Sequence, residues 1–80
     1  MEIRILGPAC VNCLKLELLV AQALKETGCE AKILKIVEDK EISKYRGDPP
    51  ILLIEGQVAH IGLPLPPLDE IKKLILTQKS

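Results

Sequence analysis

Apolar and polar residues follow two different periods along the chain, and the changes of period mark the predicted elements. Over residues 2–6 they alternate every second position, which predicts a short strand that Gly7 and Pro8 end. From Cys10 to about Thr27 the period becomes helical. The apolar face of this predicted helix consists of Cys13, Leu16, Val20, Ala23 and Leu24.

The rest of the chain divides by the same signals. A lysine-interrupted stretch predicts an edge strand, a charged stretch a short helix, and an unbroken apolar run a strand buried on both faces. A tight turn, a fourth strand and a closing helix follow. The edge strand is predicted at residues 31–37, the short helix at 38–46, the buried strand at 51–54, the fourth strand at 57–61 and the closing helix from Leu68. The order is βαβαββα, and we expect one α/β domain over residues 1–80.

The first predicted helix carries a second apolar stripe that one core-facing side does not need. It consists of Leu14, Leu18 and Ala21. We predict that a neighbouring helix of the same chain covers this stripe. Another subunit is the alternative.

Composition and charge exclude several classes of function. Eleven basic and eleven acidic residues cancel without a run of like charge, and Tyr45 is the only aromatic residue, so neither nucleic acid nor a membrane surface is an expected partner. No stretch approaches the roughly 18 apolar residues of a membrane span. Charges at Glu2 and Arg4 argue against a signal peptide. We therefore expect the protein to be cytoplasmic. In the reducing cytoplasm, a close pair of cysteines is more often catalytic or metal-binding than structural.

The strongest chemical signal is Cys10-Val11-Asn12-Cys13, between the first predicted strand and the first predicted helix. Residues three apart share a helix face, so the two sulfurs can reach bonding distance. The first sulfur meets the N–H groups and positive dipole end of the helix start, which favour thiolate over thiol. We therefore predict Cys10 as the nucleophile and Cys13 as the resolving thiol.

With this motif, the chain resembles the thioredoxin superfamily, and most closely its small archaeal and bacterial thioredoxin-like or glutaredoxin-like members. A second landmark supports the resemblance, because Pro50 directly precedes the apolar run 51–54, with a hairpin, Gly62 and a closing helix after it. The resemblance implies that a cis proline faces the cysteine pair and contacts the substrate. Pro50 matches that position, with its neighbour Pro49 as the other candidate. It also implies a four-stranded mixed sheet in the order 4-3-1-2, with the third strand antiparallel to the rest.

The function that the resemblance implies is thiol–disulfide exchange, either as an enzyme or as an electron carrier in cell redox homeostasis. The implied partners are proteins that contain disulfides and a thioredoxin reductase, and no cofactor is expected. Two departures limit the comparison: the first strand carries Arg4 where larger thioredoxins have a buried acid, and no glutathione-binding set is recognisable. We therefore assign neither a proton relay nor glutathione as substrate, and we expect a reductant.

Three other interpretations of the cysteine pair stay open. A ferredoxin-like copper chaperone also carries such a pair after its first strand, although chaperones of this class end on a strand. A structural zinc site usually has four ligands, for which only Cys29 and His60 remain. A pure interaction module with idle cysteines is the third.

Three residues outside the motif receive predicted structural roles. Cys29 is separated from Cys13 by roughly 24 Å of helix rise and is predicted to be a small apolar filler. His60 is predicted to be an ordinary strand residue, and Tyr45 a packing residue.

Overall fold

The elements of the fold follow the predicted order. The structure is a computed structural model that describes residues 1–7, 11–45 and 47–79. Its strands and helices are β1 Glu2–Leu6, α1 Val11–Thr27, β2 Lys32–Ile36, α2 Asp39–Ile42, β3 Ile51–Ile54, β4 Gln57–Ile61 and α3 Leu68–Lys79. None of the described helices is long and apolar enough to cross a membrane.

The strands form one mixed sheet in the order β2-β1-β3-β4. Strand β1 pairs with β2 in parallel, and β3 pairs antiparallel with both β1 and β4. The third strand is therefore antiparallel to the other three, as predicted. The parallel pair is joined through α1, since parallel neighbours need a crossover connection.

Apolar side chains on the two faces of the sheet form two core clusters. The larger cluster lies between the sheet and helices α1 and α3, and the smaller one lies on the opposite face, beside Ile42 and Tyr45. Strand β3 supplies both clusters, because successive side chains point to opposite faces. Leu52 and Ile54 join the larger cluster, whereas the rest of β3 joins the smaller one. The prediction that 51–54 is buried on both faces is confirmed.

The predicted apolar face of α1 is the face that the core buries. Cys13, Leu16, Val20, Ala23 and Leu24 are its buried residues, and Ile71 and Ile75 of α3 belong to the same cluster. The helix ends before Gly28, whose φ of 70° lies in the left-handed region that glycine adopts without steric cost.

The prediction that the chain covers the second stripe of α1 is wrong. Leu14 and Leu18 are 53% and 61% exposed, and Ala21 is exposed as well. The physical reason is the placement of α3, whose Ile71 and Ile75 share the larger cluster with the buried face of α1 and whose Lys72 pairs with Glu26. The stripe lies roughly a third of a turn away from that buried face, since each residue advances the helix by about 100°.

The second helix is shorter than the predicted 38–46, because it covers only Asp39–Ile42. Tighter turns continue beyond it, where the N–H of Lys44 bonds to Glu41 and the N–H of Tyr45 bonds to Ile42. The periodicity that predicted a longer helix comes from Ile42 and Tyr45, both of which pack against the smaller cluster. Tyr45 is thus the packing residue that was predicted.

Candidate functional site

The end of β1, the start of α1 and the turn before β3 meet at Gly7. A Cβ atom placed on this buried glycine would lie 2.5 Å from Cys13 Sγ, 3.3 Å from Pro49 Cβ and 3.7 Å from Pro50 Cα. Its backbone N–H donates a hydrogen bond to the carbonyl of Ile36 at 2.9 Å, which ties it to the end of β2. Glycine is needed here for space: only without a side chain can the sulfur and the turn approach each other this closely.

Cys13 is placed by the core-facing side of α1. Its side chain is 8% exposed, and its sulfur points toward Gly7 at the end of β1. The other predicted redox residue, Cys10, lies outside the described residues, and its role as the nucleophile stays a prediction. The structure therefore brings one of the two predicted cysteines together with the predicted proline turn.

The peptide bond between Pro49 and Pro50 is cis, as expected, whereas contact of this turn with a substrate stays a prediction. Pro50 is fully buried, and its carbonyl accepts a hydrogen bond from the N–H of Gly62 at 2.9 Å. Among the described residues, none donates a hydrogen bond to the carbonyl of the half-buried Pro49. The turn is thus held on one side by the loop after β4 and faces Cys13 on the other.

His60 makes contacts with the loop after β4 that its place in a predicted strand did not indicate. Its Nε2 lies 3.0 Å from the carbonyl oxygen of Gly62 and 3.0 Å from that of Pro64. Because both partners are acceptors, this nitrogen carries the proton and donates. His60 therefore fastens the loop whose Gly62 binds Pro50, in addition to its predicted place in a strand.

A second missed feature is an ion pair one helical turn beyond Cys13. Lys35 Nζ of β2 lies 3.2 Å from Glu17 Oε2 of α1. That oxygen has almost no exposed surface, and no described residue forms a hydrogen bond with it. The sequence shows that Glu17 follows Cys13 by four residues and therefore lies on the same side of the helix. Only the fold shows that Lys35 lies beside Glu17.

Cys29 lies apart from this site, near the junction of α1 and β2. It is half-buried, packs against the larger cluster and has its Sγ 3.9 Å from the carbonyl oxygen of Thr27. Its predicted role as an apolar filler is confirmed. Within residues 1–7, 11–45 and 47–79, no group of three or more His, Cys, Asp or Glu side chains could hold a metal ion.

Replacing Gly7 with alanine is expected to damage the site, because the added Cβ would enter the space of Cys13 Sγ and Pro49. Such overpacking costs about 1–3 kcal/mol, and the sulfur or the turn must move. Thermal unfolding of Gly7→Ala beside the wild-type protein measures the cost. An unchanged free energy of unfolding for Gly7→Ala would contradict the close approach.

Comparisons with known proteins agree with this architecture. The family described as thioredoxin domain matches residues 1–76. A curated protein named thioredoxin, from Methanothermobacter thermautotrophicus, is 34% identical over 76 residues, which cover 94% of this chain and 97% of that protein. A comparison with solved structures finds no significant match.

Proposed function

Because this chain belongs to the thioredoxin domain family, we propose that it is a thiol–disulfide oxidoreductase that reduces disulfide bonds in other proteins. Family membership supports a thiol–disulfide exchange role at a general level. The observation that carries the specific proposal is that Cys13 Sγ and the Pro49-Pro50 turn both lie close to the point where a side chain of Gly7 would begin. A resolving thiol beside a turn with an available backbone acceptor is the arrangement that thiol–disulfide exchange on a peptide needs.

In the proposed reaction the two cysteines act in sequence. The Cys10 thiolate attacks a substrate disulfide and forms a mixed disulfide, while the first substrate sulfur leaves as a thiolate and takes up a proton. Cys13 then loses its proton and attacks Cys10 Sγ, which releases the second substrate sulfur and leaves a disulfide between Cys10 and Cys13. Two electrons pass from the protein to the substrate.

The turn before β3 is the proposed contact for an extended substrate segment. The Pro49 carbonyl can accept a hydrogen bond from the substrate backbone, whereas proline has no N–H to donate in return. Pro50 shapes the turn, and its own carbonyl is already engaged by Gly62. Backbone hydrogen bonding between the turn and a substrate is therefore limited to the Pro49 carbonyl as an acceptor, so we expect weak peptide binding and broad substrate use.

The proposed function also implies substrates, a reductant and a cellular compartment. Disulfide-containing proteins would be the substrates, a thioredoxin reductase would return the protein to its dithiol form, and the cytoplasm would supply the reducing conditions. The competing interpretation as a copper chaperone rests on the cysteine pair after the first strand. Chaperones of that class end on a strand, whereas here helix α3 follows β4.

The deciding experiment is reduction of a protein disulfide, such as that of insulin, by the purified chain with a dithiol as the terminal reductant. We expect catalytic turnover that persists after a chelator wash. The matched control is a Cys10→Ser, Cys13→Ser double variant, which should leave only the rate of the dithiol itself. Retention of stoichiometric copper or zinc through the wash, without disulfide reduction, would favour the chaperone.

A further inference from the structure

One nitrogen of His60 binds two backbone carbonyls of the loop that follows β4. Its Nε2 lies 3.0 Å from the carbonyl oxygen of Gly62 and 3.0 Å from that of Pro64. A carbonyl on a surface loop can bind water instead, and Leu63, which lies between these two residues, is 59% exposed. The side chain of His60 therefore fixes the direction of two peptide groups that water alone could satisfy.

Gly62 connects this loop to the turn before β3. Its carbonyl accepts the hydrogen bond from His60, whereas its N–H donates to the carbonyl of Pro50 at 2.9 Å. The φ of Gly62 is 76°, in the left-handed region that glycine adopts without steric cost. Because one residue carries both groups, a displacement of the Gly62 carbonyl also moves the N–H that holds Pro50.

The turn has few groups of its own that could fix its backbone. Pro49 and Pro50 are consecutive prolines, and proline has no N–H to donate. The carbonyl of Pro50 is held by Gly62, and the carbonyl of Pro49 belongs to the peptide bond that joins the two prolines. The hydrogen bond from Gly62 therefore acts one residue away from the carbonyl that is proposed to accept the substrate.

Close packing at the same place does not supply this direction. A Cβ atom added to Gly47 would overlap Ile61 Cγ2, so the chain before the turn lies directly against the end of β4. A Cβ atom added to Gly62 would lie 3.5 Å from the carbonyl oxygen of Asp48. Packing of apolar groups is not directional, whereas a hydrogen bond orients its acceptor. The orientation of the loop therefore depends on the donor, His60.

We propose that His60 is a positioning residue for substrate binding. Its hydrogen bonds hold the loop in the position from which the Gly62 N–H binds Pro50, and this bond aims the Pro49 carbonyl at the backbone of an extended substrate. The inference rests on the proposed function, in which Pro49 is that acceptor. His60 takes no part in the exchange of bonds between sulfur atoms. Its loss should weaken the binding of peptide substrates without slowing the chemistry.

The experiment compares a disulfide that has a peptide backbone with one that has none. Insulin is turned over with a dithiol as the terminal reductant, and dithiobis-nitrobenzoate is mixed with prereduced protein in the absence of other thiols. We expect His60→Leu to raise KM for insulin about three- to tenfold, which corresponds to one hydrogen bond between neutral groups. The kcat should stay near the wild-type value, the signature of lost binding. The rate with dithiobis-nitrobenzoate should not change, because it offers no N–H to Pro49.

His60→Gln is the rescue variant. The amide nitrogen of glutamine reaches about as far from the backbone as Nε2 of histidine and donates two hydrogen bonds, so KM for insulin should return close to the wild-type value. His60→Thr is a second variant without the donor. Its side chain favours strands but is too short to reach the loop, so it should repeat the effect of His60→Leu even if the leucine variant folds poorly.

Gln57→Leu is the matched control on the same strand. Gln57 Oε1 accepts a hydrogen bond from Gln78 Nε2 at 3.0 Å, so this substitution also removes a polar side chain and a hydrogen bond, but at the other end of β4. Both substrates should keep the wild-type kinetics. Unfolding midpoints are measured for every variant, because loss of folded protein would lower activity with both substrates and leave KM unchanged.

Three results would overturn the role of His60. They are an unchanged KM for insulin in His60→Leu and His60→Thr, an equal loss of activity with both substrates, and no recovery in a folded His60→Gln. If the wild-type protein reduced neither disulfide, the proposed function itself would fail. Normal reduction of both disulfides by the wild-type protein, together with any of these three results, would overturn the positioning role alone.

Discussion

Cys10→Ser is expected to abolish disulfide reduction, whereas Cys13→Ser is expected to stop the reaction halfway. The serine oxygen at residue 10 is too weak a nucleophile to open a disulfide at neutral pH, so the rate should fall by orders of magnitude to that of the reductant alone. In Cys13→Ser the first attack still occurs, but no second thiol releases the substrate. A stable mixed disulfide at Cys10 should therefore accumulate, and mass spectrometry of the unreduced adduct measures it.

Cys29→Ala is the control for these two variants, since Cys29 packs against the core away from the Gly7 site. It should keep wild-type turnover and form no adduct. Alkylation of the reduced protein near neutral pH gives an independent measure, with Cys10 labelled before Cys13 and Cys29. Fastest labelling at Cys13, or equal trapping by Cys10→Ser and Cys13→Ser, would reverse the assigned roles.

Leu16→Ala is expected to cost about 2–5 kcal/mol of stability, a large part of the roughly 5–15 kcal/mol that a small domain has. Leu16 is fully buried and belongs to the larger cluster, which lies between the sheet and helices α1 and α3. Truncation removes buried methyl groups and leaves a cavity that the surrounding aliphatic side chains fill only partly. Denaturant unfolding should show a lower midpoint with an unchanged slope.

Leu18→Ala makes the same chemical change on the same helix and is the matched control. Leu18 is 61% exposed, and alanine is the best helix former, so the free energy of unfolding should change by no more than about 0.5 kcal/mol. A cost for Leu18→Ala as large as that for Leu16→Ala would mean that the second stripe is covered in solution.

Local patterns were enough to predict the elements and the main face of α1. The alternation around Ile3 and Ile5 marked β1, and the unbroken run 51–54 marked the strand that has no solvent-facing side. Such patterns are reliable because burial of one or both faces dictates which positions can be polar. They failed where a helix and a series of tighter turns give the same spacing of apolar residues. Ile42 and Tyr45 predicted one long helix, although the chain turns more tightly after Ile42.

The resemblance predicted that the Pro49-Pro50 turn faces the cysteine pair, but residue patterns gave no sign that Cys13 and the turn approach each other at Gly7. Their approach depends on the absence of a side chain at Gly7, where three elements converge, and only the assembled sheet and helix define this point. The same holds for His60, which donates to the carbonyls of Gly62 and Pro64. Backbone acceptors are present at every residue, so sequence gives no sign of which ones a side chain will reach.

By itself, then, the sequence determined the order of the elements, the aliphatic core and the redox motif, because each depends on residues that are neighbours along one strand or one helix turn. The tertiary structure alone decided that the stripe through Leu14 and Leu18 stays exposed and that Lys35 meets Glu17. Both outcomes depend on where separate elements pack. Helix α3 could have covered either side of α1, and packing of apolar surface is not directional enough for a local pattern to choose between them.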